Sequence, residues 1–154
     1  DNTSTWYTTD DATFEITGVQ LEVGQVANDF KHESYAETLQ KCQRYFWRFN
    51  LDDQYTVAAN VNCHSASNAY GGIIFPVELR AAGAALTKHE TYTDWELYEG
   101  GTERDVTAIG ATGIAGKQSA QIRVTTNETM TQGNGGWFRA GNNTNCWLAW
   151  DVEL

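Results

Sequence analysis

The side chains best suited to hold a metal ion, or to act as nucleophile and base, are three histidines (His32, His64, His89) and three cysteines (Cys42, Cys63, Cys146). Their spacing serves neither purpose. No histidine stands at ligand spacing from another His, Cys or acid on a common element. Cys63 and His64 are neighbours and would point to opposite faces of a strand. The cysteines are odd in number and lack a CxxC pair, so neither a disulfide framework nor a zinc knuckle follows, and we read them as buried free thiols in a reducing compartment. There is no G-x-S-x-G elbow. Gly110, Gly113 and Gly116 do not have the spacing of a phosphate-cradling loop, and no strong helix follows them. Twenty acids allow any pairing for glycoside hydrolysis, which singles out none. We therefore expect no enzyme, no metal and no cofactor.

The aromatic residues offer a different chemistry. Six Trp, seven Tyr and six Phe lie in a chain rich in Asn, Gly and Thr. Flat rings stack on the apolar faces of sugars and on protein side chains, while amides bond hydroxyls, a combination suited to recognition. Trp95 and Trp150 fall on core parity in their strands. Tyr70, Tyr92, Trp137 and Phe138, with Asn142, in loops at Ser65–Gly72, Lys88–Tyr92 and Gly133–Asn145, and Trp147 on the outward parity of the last strand, are expected near the surface as receptor-binding candidates.

Composition narrows the partners. Ten Lys and Arg against 20 Asp and Glu give a formal charge of −10, which argues against nucleic acid or an anionic membrane face. No apolar run approaches the roughly 20 residues that span a bilayer, and the first residues have neither a cationic nor an apolar leader region. We expect no membrane insertion. A start at Asp1 suggests a processed product or the end of a longer polypeptide. The sequons at Asn2, Asn127 and Asn142 matter only in a secretory pathway that nothing else supports.

The elements that must position these residues are mostly strands. Residues 1–30 read as an extended segment, with Phe14 and Ile16 in one phase and Val19, Leu21 and Val23 in the other, shifted by a bulge or bend at Gly18. Residues 31–154 read as one helix followed by a β domain. Ser34 and Glu37 form a capping box, and Tyr35, Leu39, Cys42 and Phe46 share one helical face that needs a sheet to cover. Strands follow at Arg44–Phe49, around Tyr55–Val61, from Ile73 to Leu79 with an edge or bulge at Pro76, at Thr93–Tyr98, weakly at Arg104–Ile109, at Ala120–Thr125 and at Cys146–Leu154. Short strands at close intervals plus a single helix predict a mainly β protein, an antiparallel β-sandwich with the helix at one end.

Gly18-Val-Gln-Leu-Glu-Val-Gly24, Ala27, Phe30 and Glu37 through Cys42-Gln-Arg-Tyr-Phe46 resemble the C-terminal region of tailed-bacteriophage fibre and tail structural proteins. Those proteins commonly read V-Q-L-E-x-G-x-x-A-T-P-F-E before an E-L-x-x-C-Q-R-Y-Y-type helix. Phe75-Pro-Val-Glu-Leu-Arg80 is similar to their F-P-V-x-M-R strand, and Asp151-Val-Glu-Leu154 to their D-A-E-L ending. The chain departs at Asn28-Asp29, where Thr-Pro is usual, and at Gly83, where a proline often stands.

The resemblance implies a virion component, usually trimeric, made in the bacterial host and associated with other virion proteins. Its distal jelly-roll-like β domain would attach to a host surface glycan or protein. Residues 6–23 resemble the last strands of an upstream module. The family supplies no catalytic residues. A homotrimer would bury apolar surface between copies, and Tyr45, Phe46 and Trp47 offer more aromatic surface than one small sandwich needs, which makes them trimer-interface candidates. The competing expectations are a head or neck fibre or capsid decoration without a receptor, and a capsule-degrading enzyme.

Overall fold

A computed structural model describes residues 13, 15–26 and 28–152 of the chain. The sequon at Asn2, Phe14 of the expected first strand, Ala27 and the terminal Glu153 and Leu154 lie outside the described residues. The chain divides into two compact units, Asp1–Ser34 and Tyr35–Leu154, so the helix belongs with the β domain.

In the first unit the described residues form neither helix nor strand. The chain bends at Gly24–Val26, and polar side chains hold the bend. Glu22 accepts from the Asn28 side chain at 3.1 Å, and Gln20 Oε1 accepts from the Lys31 amide at 2.9 Å. Hydrogen bonds from Asn28, its backbone amide first, hold the Glu22 carboxyl below the ordinary carboxylate range. Val19, Leu21 and Val23 keep the predicted alternation but are almost wholly exposed. The pattern of a half-buried strand is present here without a ladder.

The second unit begins with α1 (Tyr35–Gln43). Glu37 in its first turn and Lys41 in its last suit the helix dipole. Its end is fastened by the Tyr45 amide to the Cys42 carbonyl (3.0 Å), the Val152 amide to the Tyr45 carbonyl (2.8 Å) and the Arg80 amide to the Arg44 carbonyl (2.7 Å). No residue of α1 is buried. Among the described residues the expected sheet cover for its apolar face is not found.

Nine strands follow among the described residues: β1 (Phe46–Leu51), β2 (Val57–Cys63), β3 (Asn68–Ile74), β4 (Ala85–Lys88), β5 (Trp95–Glu99), β6 (Thr102–Ala115), β7 (Ser119–Thr126), β8 (Gly135–Ala140) and β9 (Cys146–Asp151). All pairings are antiparallel. The protein is mainly β, as predicted, but the arrangement differs from the expected sandwich. Strands β2-β3-β7-β6-β5-β8 close into a barrel, and β1-β9-β4 make a separate three-stranded sheet.

The reason for the difference is local. β8 pairs with β2 on one side and β5 on the other and so closes the barrel. Its opening Gly135-Gly136 reads as loop sequence. At Gly136, however, a Cβ would lie 2.8 Å from the Tyr98 carbonyl oxygen, so the close approach of β5 demands glycine. β6 was similarly disguised: it runs for 14 residues through Gly110 and Gly113, with register shifts near Val106 and beyond Ala111. β3 ends at Ile74, so Pro76 sits in the connection after the strand and removes no ladder bond. The Glu99–Thr102 hairpin matches its predicted turn, with φ of 62° and 86° at Gly100 and Gly101, the mirror-image turn that suits strand twist.

One hydrophobic cluster runs through barrel and sheet. Trp95 stacks on Phe138 inside the barrel at 4.8 Å. Trp150 of β9 packs against Trp47 (5.5 Å) and Phe75 (5.3 Å), which joins the sheet to the barrel. Glu99 is the buried acid, accepting from Asn134 and from Arg104 at 2.7 Å. These bonds, that of Asn134 first, hold its carboxyl below the ordinary carboxylate range.

Candidate functional site

Along β2 the side chains alternate, with Ala59, Val61 and Cys63 buried and Asn60 and Asn62 exposed. The outer face of the barrel around Asn60 combines exposed aromatic rings with hollows. On one side stands Trp137 of β8, 48% exposed, stacked on Tyr98 of β5 with ring centroids 5.5 Å apart and planes 16° from parallel. On the other side are Tyr70, Gly72 and Ile74 of β3, pointing outward.

Among the described residues Asn60 borders three hollows; one is shared with Trp47 and Phe49 of β1, and two lie along the barrel face. Of these two, one of about 340 Å³ lies among Asn60, Tyr98, Gly100, Gly135 and Trp137. The other, of about 780 Å³, lies among Asn60, Asn62, Tyr70, Gly72, Ile74 and Ile114. Gly72, Gly100 and Gly135 open the floor, because a Cβ on any of them would meet no atom within 4 Å. A flat ligand could reach the backbone there.

The aromatic wall is held rigid. Arg139 lies 4.8 Å over the Tyr55 ring and 4.9 Å over the Tyr98 ring, while it also pairs with Glu96 (3.0 Å) and Glu103 (2.8 Å). Tyr55 adopts φ of 59°, a left-handed conformation that costs a non-glycine residue about 1–2 kcal/mol. Its amide donates to the Gly141 carbonyl at 3.2 Å, which holds it there. A wall fixed before a ligand arrives loses little entropy on binding. By contrast the Asn60 amide has no protein partner among the described residues, so both its donor and its acceptor remain for a ligand.

The sequence candidates disperse. Trp137 stands at this face, and Tyr70 lines its far end, half-buried with its ring edge-on to His64 at 5.2 Å. Phe138 is fully buried against Trp95 and faces no surface. The reason is strand parity: once β8 is a strand, Trp137 and Phe138 must point to opposite sides. Tyr92 lies in a short 3-10 turn, half-buried under Lys88 at 5.7 Å, and its hydroxyl donates to Glu90. Asn142 is exposed in the loop after β8. Trp147 is half-buried in the three-stranded sheet, with the Arg48 guanidinium 4.5 Å over its ring.

Of the interface candidates, Tyr45 and Phe46 are 43% and 45% exposed. Trp47 packs against Phe49, Phe75 and Trp150 within its own chain. Sequence reasoning missed Asn60, Tyr98 and Arg139. The first two were legible, since Ala59, Val61, Trp95 and Leu97 on core parity place Asn60 and Tyr98 outside.

Cys63 and Cys146 are buried and Cys42 is exposed. Burial, reinforced by the Asp94 carboxylate, pushes the Cys146 thiol up to about 12, so it stays protonated and unreactive at neutral pH. Among the described residues no group of three or more His, Cys, Asp or Glu could hold a metal ion, and no helix is long and apolar enough to cross a membrane. No family model, curated protein or solved structure matches the chain.

Proposed function

We propose that the chain is a non-catalytic recognition domain of a bacteriophage virion, the distal part of a trimeric tail fibre or adhesin that attaches to a glycan or protein on the host surface. The observation that carries the recognition role is the rigid Tyr98–Trp137 stack beside the unengaged Asn60 amide, over a floor opened by Gly72 and Gly135. An exposed indole offers a stacking face and Asn60 offers one donor and one acceptor to a hydroxylated ring or a peptide group. The virion assignment rests on the resemblance of residues 18–46, 75–80 and 151–154 to fibre proteins.

Trimeric assembly is supported by apolar surface that the described residues leave uncovered. Tyr35 is 81% exposed and Leu39, Tyr45 and Phe46 are each about 40% exposed, all in or just after α1. Copies related by a threefold axis would cover them.

The test is binding of the fluorescently labelled chain to bacterial cells. The reading expects saturable binding that Trp137→Ala abolishes while the fold survives. A second reading, a virion part without a receptor, is favoured by Ile74 and Ile114, 81% and 65% exposed beside the same hollow, which would suit a contact with another virion protein. Absence of saturable binding to cells by the folded chain would favour that reading, and binding indifferent to Trp137→Ala would move receptor attachment away from this face.

A further inference from the structure

A separate hollow, of about 370 Å³, lies away from Asn60 at the three-stranded sheet, among Arg48, Asn50, Asp52, His89, Asn145 and Trp147. We propose that it is a binding site for an acidic sugar, a pyranose bearing a carboxylate such as a hexuronate or sialate.

Its geometry differs from that of the Arg139 site. Arg139 uses its terminal nitrogen on two carboxylates. Arg48 is oriented without being neutralised: its Nε donates to Asn50 Oδ1 at 2.7 Å and its guanidinium lies 4.5 Å over the Trp147 ring. Among the described residues neither of its terminal nitrogens meets a protein acceptor. A guanidinium held over a ring, with its terminal nitrogens free, can present the fork that a carboxylate fills with two parallel hydrogen bonds.

The remaining lining suits hydroxyls. Asp52 lines the same hollow, yet no ion pair forms between it and Arg48, and it is an acceptor for sugar hydroxyls. Asn145 supplies an amide, its own backbone amide being held by Asn143 Oδ1 at 2.6 Å, which fixes the loop. His89 is fixed too, because its Nε2 pairs with Asp94 at 2.6 Å and its backbone amide donates to the Trp147 carbonyl at 3.0 Å. One fork for a carboxylate, with the Asp52 acceptor and the Asn145 amide beside it, fits a hydroxylated ring with one acid group better than a simple anion, which has no hydroxyls for those groups to bind.

This inference does not rest on the Asn60 face, and the test keeps the two apart. Sodium glucuronate is titrated into the chain and followed by NMR at the Arg48 Nε–H and Trp147 Nε1–H resonances, with glucose and sodium acetate as controls. The expected result is saturable shifts at millimolar glucuronate, weakened at least tenfold by Arg48→Met and by Asn145→Ala, and unchanged in Trp137→Ala. N-acetylneuraminate should compete with glucuronate. Equal shifts with glucose, equal shifts with acetate, no saturation, or full binding by a folded Arg48→Met chain would each overturn it. Because Arg48 and Asn145 are exposed, neither change should unfold the domain, and the unperturbed spectrum of each variant checks that.

Discussion

β9 and α1 carry apolar residues at the period of their own element, but they meet opposite fates. In β9 the alternation Cys146, Leu148, Trp150 is buried to within 1%, because β1 and β4 flank the strand and the barrel core lies against that face. In α1 the spacing Tyr35, Leu39, Cys42 produces the helix and buries none of it. Periodicity dictates which side of an element is apolar. Whether that side is covered depends on what else packs there, and for α1 the cover is not within the described part of the chain. The same contrast separates Val61, buried in a strand with two neighbours, from Leu21, 98% exposed in a segment with none.

Substitutions in the two regions should separate accordingly. Trp150→Ala leaves a cavity under Trp47 and Phe75 and should destabilise the fold by about 3–5 kcal/mol, measured by urea denaturation. Gly136→Ala drives a methyl to 2.8 Å from a backbone oxygen of β5 that cannot move alone, and should cost about 1–3 kcal/mol by forcing β5 and β8 apart.

Glu99→Gln should cost about 1–3 kcal/mol at pH 7, because the half-buried Arg104 loses its 2.7 Å carboxylate partner and keeps only Glu128 at 3.7 Å. The pH dependence has a fixed sign. The folded carboxyl ionises below its ordinary value of 4.5, so its contribution is present above that pH and is lost as pH falls through the folded value. The wild-type chain should lose stability on that acid limb more steeply than the Gln variant, as read by urea midpoints between pH 5 and 3. A parallel acid limb in both would show that Glu99 is not the group responsible. The smallest effect on folding is expected in α1: Tyr35→Ser with Leu39→Ser should change single-chain stability by less than about 0.5 kcal/mol, while weakening self-association.

How much of this could be read from the residues follows the same division. The parity of Trp95, Leu97, Leu148 and Trp150 was sufficient to place them in the core, and the Gly100-Gly101 turn was legible because only one hairpin geometry suits two adjacent glycines with positive φ. β8 was not legible as a strand, since Gly135 and Gly136 satisfy a close backbone approach that leaves no local signal. With β8 hidden, the closed barrel was hidden, and Trp137 and Phe138 were placed together at a surface although they lie on opposite sides of one strand. The Asn60 face is assembled from β2, β3, β5 and β8, so its aromatic wall and its open floor come from residues that only the barrel's register brings together.

If further copies of the chain cover the apolar surface left open on α1, light scattering of the purified chain should give three times the chain mass of 17.1 kDa, falling to a single chain in the Tyr35→Ser, Leu39→Ser variant. A stable monomer of 17.1 kDa at all concentrations would contradict that assembly.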